Sequence, residues 1–104
     1  MSVSVQVLYP IAEGTHFDID YYYSKHTEVL NKHMGQHLER TLVTQGLADG
    51  AGGPPQFHAI ATLVFANEAA RDAGLAAAGP VMADLPNFTN VQPMMMMGGV
   101  QPDA

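Results

Sequence analysis

The chain has 104 residues, 47% hydrophobic and 13% charged, with a formal net charge of −6 at pH 7, the balance of one globular domain rather than a disordered segment. Its four cations form no run or stripe, which argues against nucleic acid and against an anionic membrane surface as partners. With no cysteine there is no disulfide or thiolate chemistry, and with neither a signal-peptide pattern nor roughly 20 consecutive apolar residues the chain reads as soluble and cytoplasmic.

Val3, Val5, Val7 and Tyr9 alternate with mostly polar neighbours, which predicts a strand over 3–9, broken by Pro10 and Gly14. Asp18 then caps a helix expected from Ile19 to about Met34, with Phe17 and Tyr22 placed for a hydrophobic staple and Gly35 as a left-handed C-cap. The apolar stripe of this helix, Ile19, Tyr22, Tyr23, Val29 and Leu30, is continued at helical spacing by His26 and His33. A second strand is expected over 38–47, followed by a flexible Gly/Pro loop over 48–55. The third strand, 57–65, is apolar on both sides and so is expected to be buried on both.

Asn67 caps an alanine-rich helix over 68–78 that Gly79-Pro80 should end. Leu85-Pro86-Asn87-Phe88 reads as a turn. A last strand is expected over 88–97, at an edge or with a bulge because of Pro93, and the tail 98–104 is expected to fray. The order β-α-β-β-α-β is the ferredoxin-like, split arrangement: an α+β domain over 1–104, a four-stranded antiparallel sheet with two helices on one face. Apolar residues on the other face, with Leu8, Val43 and Val91 among them, predict a homodimer paired sheet to sheet.

Two segments resemble a known family. Phe17-Asp18-Ile19-Asp20-Tyr21-Tyr22-Tyr23-Ser24-Lys25-His26 is similar to the F-D-x-x-Y-Y-x-x-x-H segment of EthD-like proteins, and residues 82–93 resemble their second signature, D-[LIV]-P-x-F-[TS]-N-x-x-P. The resemblance covers about residues 3–95. It implies a dimeric α+β barrel of the type named after ethyl tert-butyl ether degradation, and a class often grouped with oxidoreductases. Related barrels include cofactor-free monooxygenases, isomerases and cyclases, so the resemblance specifies fold better than reaction. Where EthD-like sequences often have proline two residues after the helix histidine, this chain has Glu28.

His26 is the leading catalytic candidate, because it lies on the helix stripe expected to face the sheet and imidazole exchanges protons near neutral pH. The plainer alternative is a core histidine bonded to backbone. Tyr22 is the second catalytic candidate, and Tyr9, Tyr23 and His58 are candidates for substrate binding, since a phenol hydroxyl can hold an oxyanion. His58 approaches His26 or the dimer interface according to the side of its strand, which the sequence leaves open. Asp84 and Asn87 read as turn caps.

No metal site is expected. His26 and His33 are two helical turns apart, about 10.5 Å along the axis, and Gly35 is expected to separate His33 from His37. Met94–Met97 read as flexible apolar filler rather than a copper site. No cofactor is expected either, since no phosphate- or dinucleotide-binding fingerprint is present. The first functional reading is a cofactor-independent enzyme of oxidoreductase, isomerase or cyclase type, acting on a small hydrophobic or aromatic metabolite with His26 as general acid/base. The second is a non-catalytic ligand-binding or accessory protein of an oxidative degradation system.

Overall fold

A computed structural model describes residues 1–102. Four strands, β1 (Val3–Pro10), β2 (Arg40–Gln45), β3 (Phe57–Phe65) and β4 (Met94–Gly99), form one antiparallel sheet in the order β2-β3-β1-β4. This is the expected ferredoxin-like α+β arrangement. The long first helix, residues 19–34, is α1, followed by a 3-10 turn at Gly35–His37. Helix α2 spans Glu68–Ala76 and the short α3 spans Gly79–Ala83, followed by a 3-10 turn at Leu85–Asn87.

The two cap assignments hold: the Asp18 carboxylate accepts from Tyr21 N–H at 3.0 Å, and Asn67 Oδ1 accepts from Ala70 N–H at 2.8 Å. Gly35 departs from expectation. Its φ is −55°, so the helix tightens into 3-10 geometry instead of ending in a left-handed cap. Pro80 also departs. It stands in the first turn of α3, where its missing N–H costs nothing, so it starts a helix rather than stopping one.

The last strand begins at Met94, just after Pro93, and not at Phe88. Residues 88–90 instead clamp the loop before α1. Asp18 N–H donates to Phe88 O at 2.7 Å, Thr89 Oγ1 to His16 O at 2.6 Å, and Asn90 Nδ2 to Gly14 O at 2.9 Å. Part of the tail expected to fray is ordered: Gly98 and Gly99 belong to β4 and Val100 N–H donates to Ser2 O at 2.9 Å, while residues 103–104 lie outside the described residues.

The register fixes which residues share a face. Val3, Val5, Val7 and Tyr9 of β1 lie opposite Phe65, Leu63, Ala61 and Ala59 of β3. This row packs under the helices in two clusters. One joins Val3, Val5, Leu63 and Phe65 to Leu30, Met34 and Val81; the other joins Tyr9 and Ala59 to Tyr22, Leu85, Phe88 and Val91. The opposite face carries Leu8, Ile60, Leu42 and Met96, with Gln6 Nε2 donating to Thr62 Oγ1 at 3.1 Å in its middle. Among the described residues no helix covers that face.

Candidate functional site

The site is built on an irregularity in α1. Residues Tyr22–His26 form a π-helical turn between α-helical Ile19–Tyr21 and Thr27–Met34, and Thr27 N–H reaches back five residues to Tyr22 O. Two hydroxyls bond back to carbonyls four residues earlier: Thr27 Oγ1 donates to Tyr23 O and Ser24 Oγ to Asp20 O, each at 2.7 Å. The wide turn has a purpose in packing. Tyr22, His26, Leu30 and Met34 are all buried at intervals of four, a spacing that drifts by about 40° per step in an α-helix of 3.6 residues per turn. One wider turn takes back part of that drift and keeps all four on the sheet side. Such π-turns recur at functional sites.

His26 is 3% exposed. Its ring packs between Tyr22, centroids 5.0 Å apart, and Phe88 at 4.6 Å. Its Nδ1 is 2.9 Å from Asp84 Oδ2. The other carboxylate oxygen accepts from the Tyr21 hydroxyl at 2.8 Å and from Asn87 Nδ2 at 2.9 Å. Burial alone would raise the Asp84 pKa, but the hydrogen bonds from Asn87, His26 and Tyr21 outweigh it and hold the carboxyl below its ordinary value. Asp84 is therefore ionised at neutral pH. An ionised carboxylate only accepts, so His26 must present Nδ1–H to it, which leaves the Nε2 lone pair for other partners.

On the sheet side of α1 lies a cavity of about 40 Å³. His26, Tyr22 and Tyr9 line it together with apolar side chains that include Val7, Leu30, Ala61 and Leu63. Tyr9 and Tyr22 are both 2% exposed. Burial pushes the Tyr22 pKa up to about 12, with a smaller contribution from Tyr23, and raises that of Tyr9 for the same main reason, helped by Tyr22. Both phenols are protonated through the neutral range and are hydrogen-bond donors there.

Of the five residues singled out in the sequence, the structure gathers His26, Tyr22 and Tyr9 around one cavity. Tyr23 is exposed on the outer side of the π-turn, touching Tyr22 edge-on at 5.9 Å. His58 lies outside the cavity lining, at the Pro10 end of the sheet. Its Nε2 is 3.1 Å from Thr15 Oγ1 and its ring stacks on Phe17 at 5.7 Å. Burial, and then the nearby His16, lower its pKa.

Two residues of the site were not singled out. Tyr21 sits in the first motif and Asp84 opens the second, and the side chain of Asp84 joins both motifs instead of capping its own turn. Among the described residues no group of three or more His, Cys, Asp or Glu could hold a metal ion. A wider open groove of about 500 Å³ runs along residues 44–50, 55–57, 59 and 60. It contains no histidine or tyrosine and lies apart from the Asp84–His26 pair.

No family model matches the chain, and no curated protein does. Among solved structures, the chain is similar to an EthD-like protein of Ralstonia eutropha JMP134, at 28% identity and a TM-score of 0.88 over 99% of this chain and 95% of that one. It also resembles an ethyl tert-butyl ether degradation (EthD) family protein of Bacillus halodurans C-125, at 18% identity and a TM-score of 0.66 over 97% and 100% of the two chains. A more distant likeness in fold, at 14% identity and a TM-score of 0.54 over 100% and 96%, is to HapK of Hahella chejuensis.

Proposed function

We propose that this chain, which is similar to EthD-like proteins, belongs with them and is a small-molecule enzyme that needs no cofactor and uses His26 as its general acid/base. The observation that carries this reading is the 2.9 Å contact between buried His26 Nδ1 and the ionised Asp84 carboxylate. Asp84 is a positioning residue: it fixes the tautomer and stabilises the imidazolium that forms when Nε2 takes a proton. The proton comes from a weakly acidic O–H or C–H of a hydrophobic or aromatic metabolite. The anion left behind accepts hydrogen bonds from the Tyr22 and Tyr9 hydroxyls, and its fate sets the reaction class. Return of the proton to another atom is isomerisation, attack within the molecule is cyclisation, and capture by dioxygen is oxidation.

The apolar sheet face around Leu8, Leu42, Ile60 and Met96 supports a homodimer packed sheet to sheet. A cytoplasmic location is part of this proposal; among the described residues no helix is long and apolar enough to cross a membrane.

The test is turnover of substituted phenols and unsaturated lactones, followed by mass spectrometry, in the native protein and in a folded His26→Gln variant. Product formation lost in the variant supports the assignment, and equal turnover by both overturns it. A second reading, a non-catalytic ligand-binding or accessory protein, rests on how few polar side chains line the cavity. Saturable binding of such compounds with no product from either protein would establish it.

A further inference from the structure

The cavity beside His26 meets solvent at few of its lining side chains. Fifteen side chains line it, and only two of them are exposed: Met82 from α3, at 43%, and Met95 from β4, at 49%. Every other lining residue is buried or half-buried. The helices pack over β1 and β3, so β4 projects past the helical layer. Met95 stands beside Val7 in the register, on the helix side of the sheet, and lines the cavity together with Met82 of α3. The polar groups are gathered on α1 and β1, as His26, Tyr22 and Tyr9, and the rest of the lining is hydrocarbon or thioether.

At about 40 Å³ the closed cavity holds roughly two or three waters, whereas a benzene-sized ligand needs roughly 150 Å³. The buried walls are fixed by close packing. Methionine is the side chain best able to swing aside, being unbranched with three rotatable bonds. We infer that Met82 and Met95 form a movable plug over the entrance between α3 and β4. The compound they admit is a flat apolar one carrying a single hydroxyl or enolisable carbonyl, which enters polar end first toward His26. This deepens the catalytic reading above and shares its cavity, but it is a statement about binding.

The probe is 2-naphthol, an apolar two-ring compound with one hydroxyl, titrated against the full chain and followed by its fluorescence. Joint replacement Met82→Ala and Met95→Ala should tighten binding at least about tenfold, the gain available when an open form populated at a tenth or less becomes the resting form. Ala61→Val adds two methyl groups to the cavity floor and should weaken binding at least about tenfold. Met96→Ala, on the same strand but the opposite face, should leave the dissociation constant where it was. Thermal melts of each variant establish that it is folded.

No binding by native protein or the double variant overturns the entrance, as does an affinity that the double variant leaves unmoved. Should Ala61→Val fail to fold, the double variant alone still decides. The two readings fail separately. If naphthol binding follows the plug and no compound is turned over, the entrance stands and the catalysis falls. If His26→Gln abolishes turnover while naphthol binding ignores the methionines, the catalysis stands and the entrance falls.

Discussion

Replacing Asp84 with asparagine changes the shape of the site hardly at all and its protonation pattern completely. The new amide oxygen can still accept from the Tyr21 hydroxyl and Asn87 Nδ2. The amide nitrogen then faces His26 Nδ1, a donor opposed to a donor, so the ring must move its proton to Nε2 to accept there. The lone pair that would act as base is lost. Asp84 is covered but shallow, so only its bond to buried His26 enters the energy figure. A charge-assisted bond, net about 1.5–3 kcal/mol, becomes a neutral one of about 0.5–1.5, a loss of about 1 kcal/mol. For a domain of this size that lowers Tm by about 4–8 °C at fixed protein concentration. Turnover should fall about 10²–10⁴-fold, the usual worth of a general base. Nitrogen-15 spectra that correlate the ring nitrogens with their carbon-bound protons report the tautomer without any substrate. A native ring protonated at Nδ1 and a variant ring protonated at Nε2 are expected. If the variant keeps Nδ1–H, or keeps its turnover with the tautomer switched, the reasoning about Asp84 is wrong.

Four further outcomes are expected. Because its hydrogen bonds depress the Asp84 pKa, that carboxylate stabilises the fold above the ordinary carboxylate pKa of about 4, and the contribution disappears as pH falls through its lower folded value. An acid titration should therefore show a stability loss below pH ~4 that Asp84→Asn lacks. The raised Tyr22 pKa works in the opposite direction: stability is complete below about pH 10 and lost as pH rises toward 12, and Tyr22→Phe should flatten that alkaline limb in denaturant melts.

Gly74→Ala should destabilise by about 1–2 kcal/mol in urea titration, although alanine is the better helix former by about 1 kcal/mol. An added Cβ would stand 2.6 Å from Cε1 of the fully buried Phe65, and overpacking dominates. A stabilised variant would show that the Phe65 ring yields. Finally, Leu8→Glu with Ile60→Glu, cross-strand partners on the uncovered sheet face, should give a monomer by light scattering where the native chain gives a dimer. A native monomer, or a dimer that survives both charges, would remove the sheet-to-sheet pairing.

Much of the fold was legible because it rests on signals local in sequence. The alternation of Val3, Val5, Val7 and Tyr9, the two-sided apolar run 57–65 and the caps Asp18 and Asn67 all stand where period and capping chemistry put them. The misreadings came from residues whose partners are distant. Thr89 and Asn90 look like strand residues, yet their side chains are occupied by His16 and Gly14, more than 70 positions away. Gly35 and Pro80 are each compatible with two roles: Gly35 opens a 3-10 turn instead of a left-handed cap, and Pro80 starts a helix instead of stopping one. Within the site, His26 was found because it continues an apolar stripe. Asp84 was read as a turn cap because an aspartate before Leu-Pro-Asn has that role available locally, and nothing in a single chain reveals a partner 58 residues upstream. The helical wheel could not rank Tyr21 against Tyr23 either, since the π-turn begins between them.

That turn makes α1 a gauge of length. Its first end is tied to Phe88 through Asp18, and its middle is tied to Asp84 through His26. The same short stretch of chain therefore holds both ends of the interval 18–26. Removing one residue from 23–25 would let the helix wind regularly, but would turn one anchor relative to the other by about 100° and shorten the path by about 1.5 Å. Both ties could not then be kept. Regularity and function make opposite demands on the number of residues here, so chains built on this plan are expected to show no length variation between the phenylalanine of the first motif and its histidine, whatever varies in the loop beyond β2.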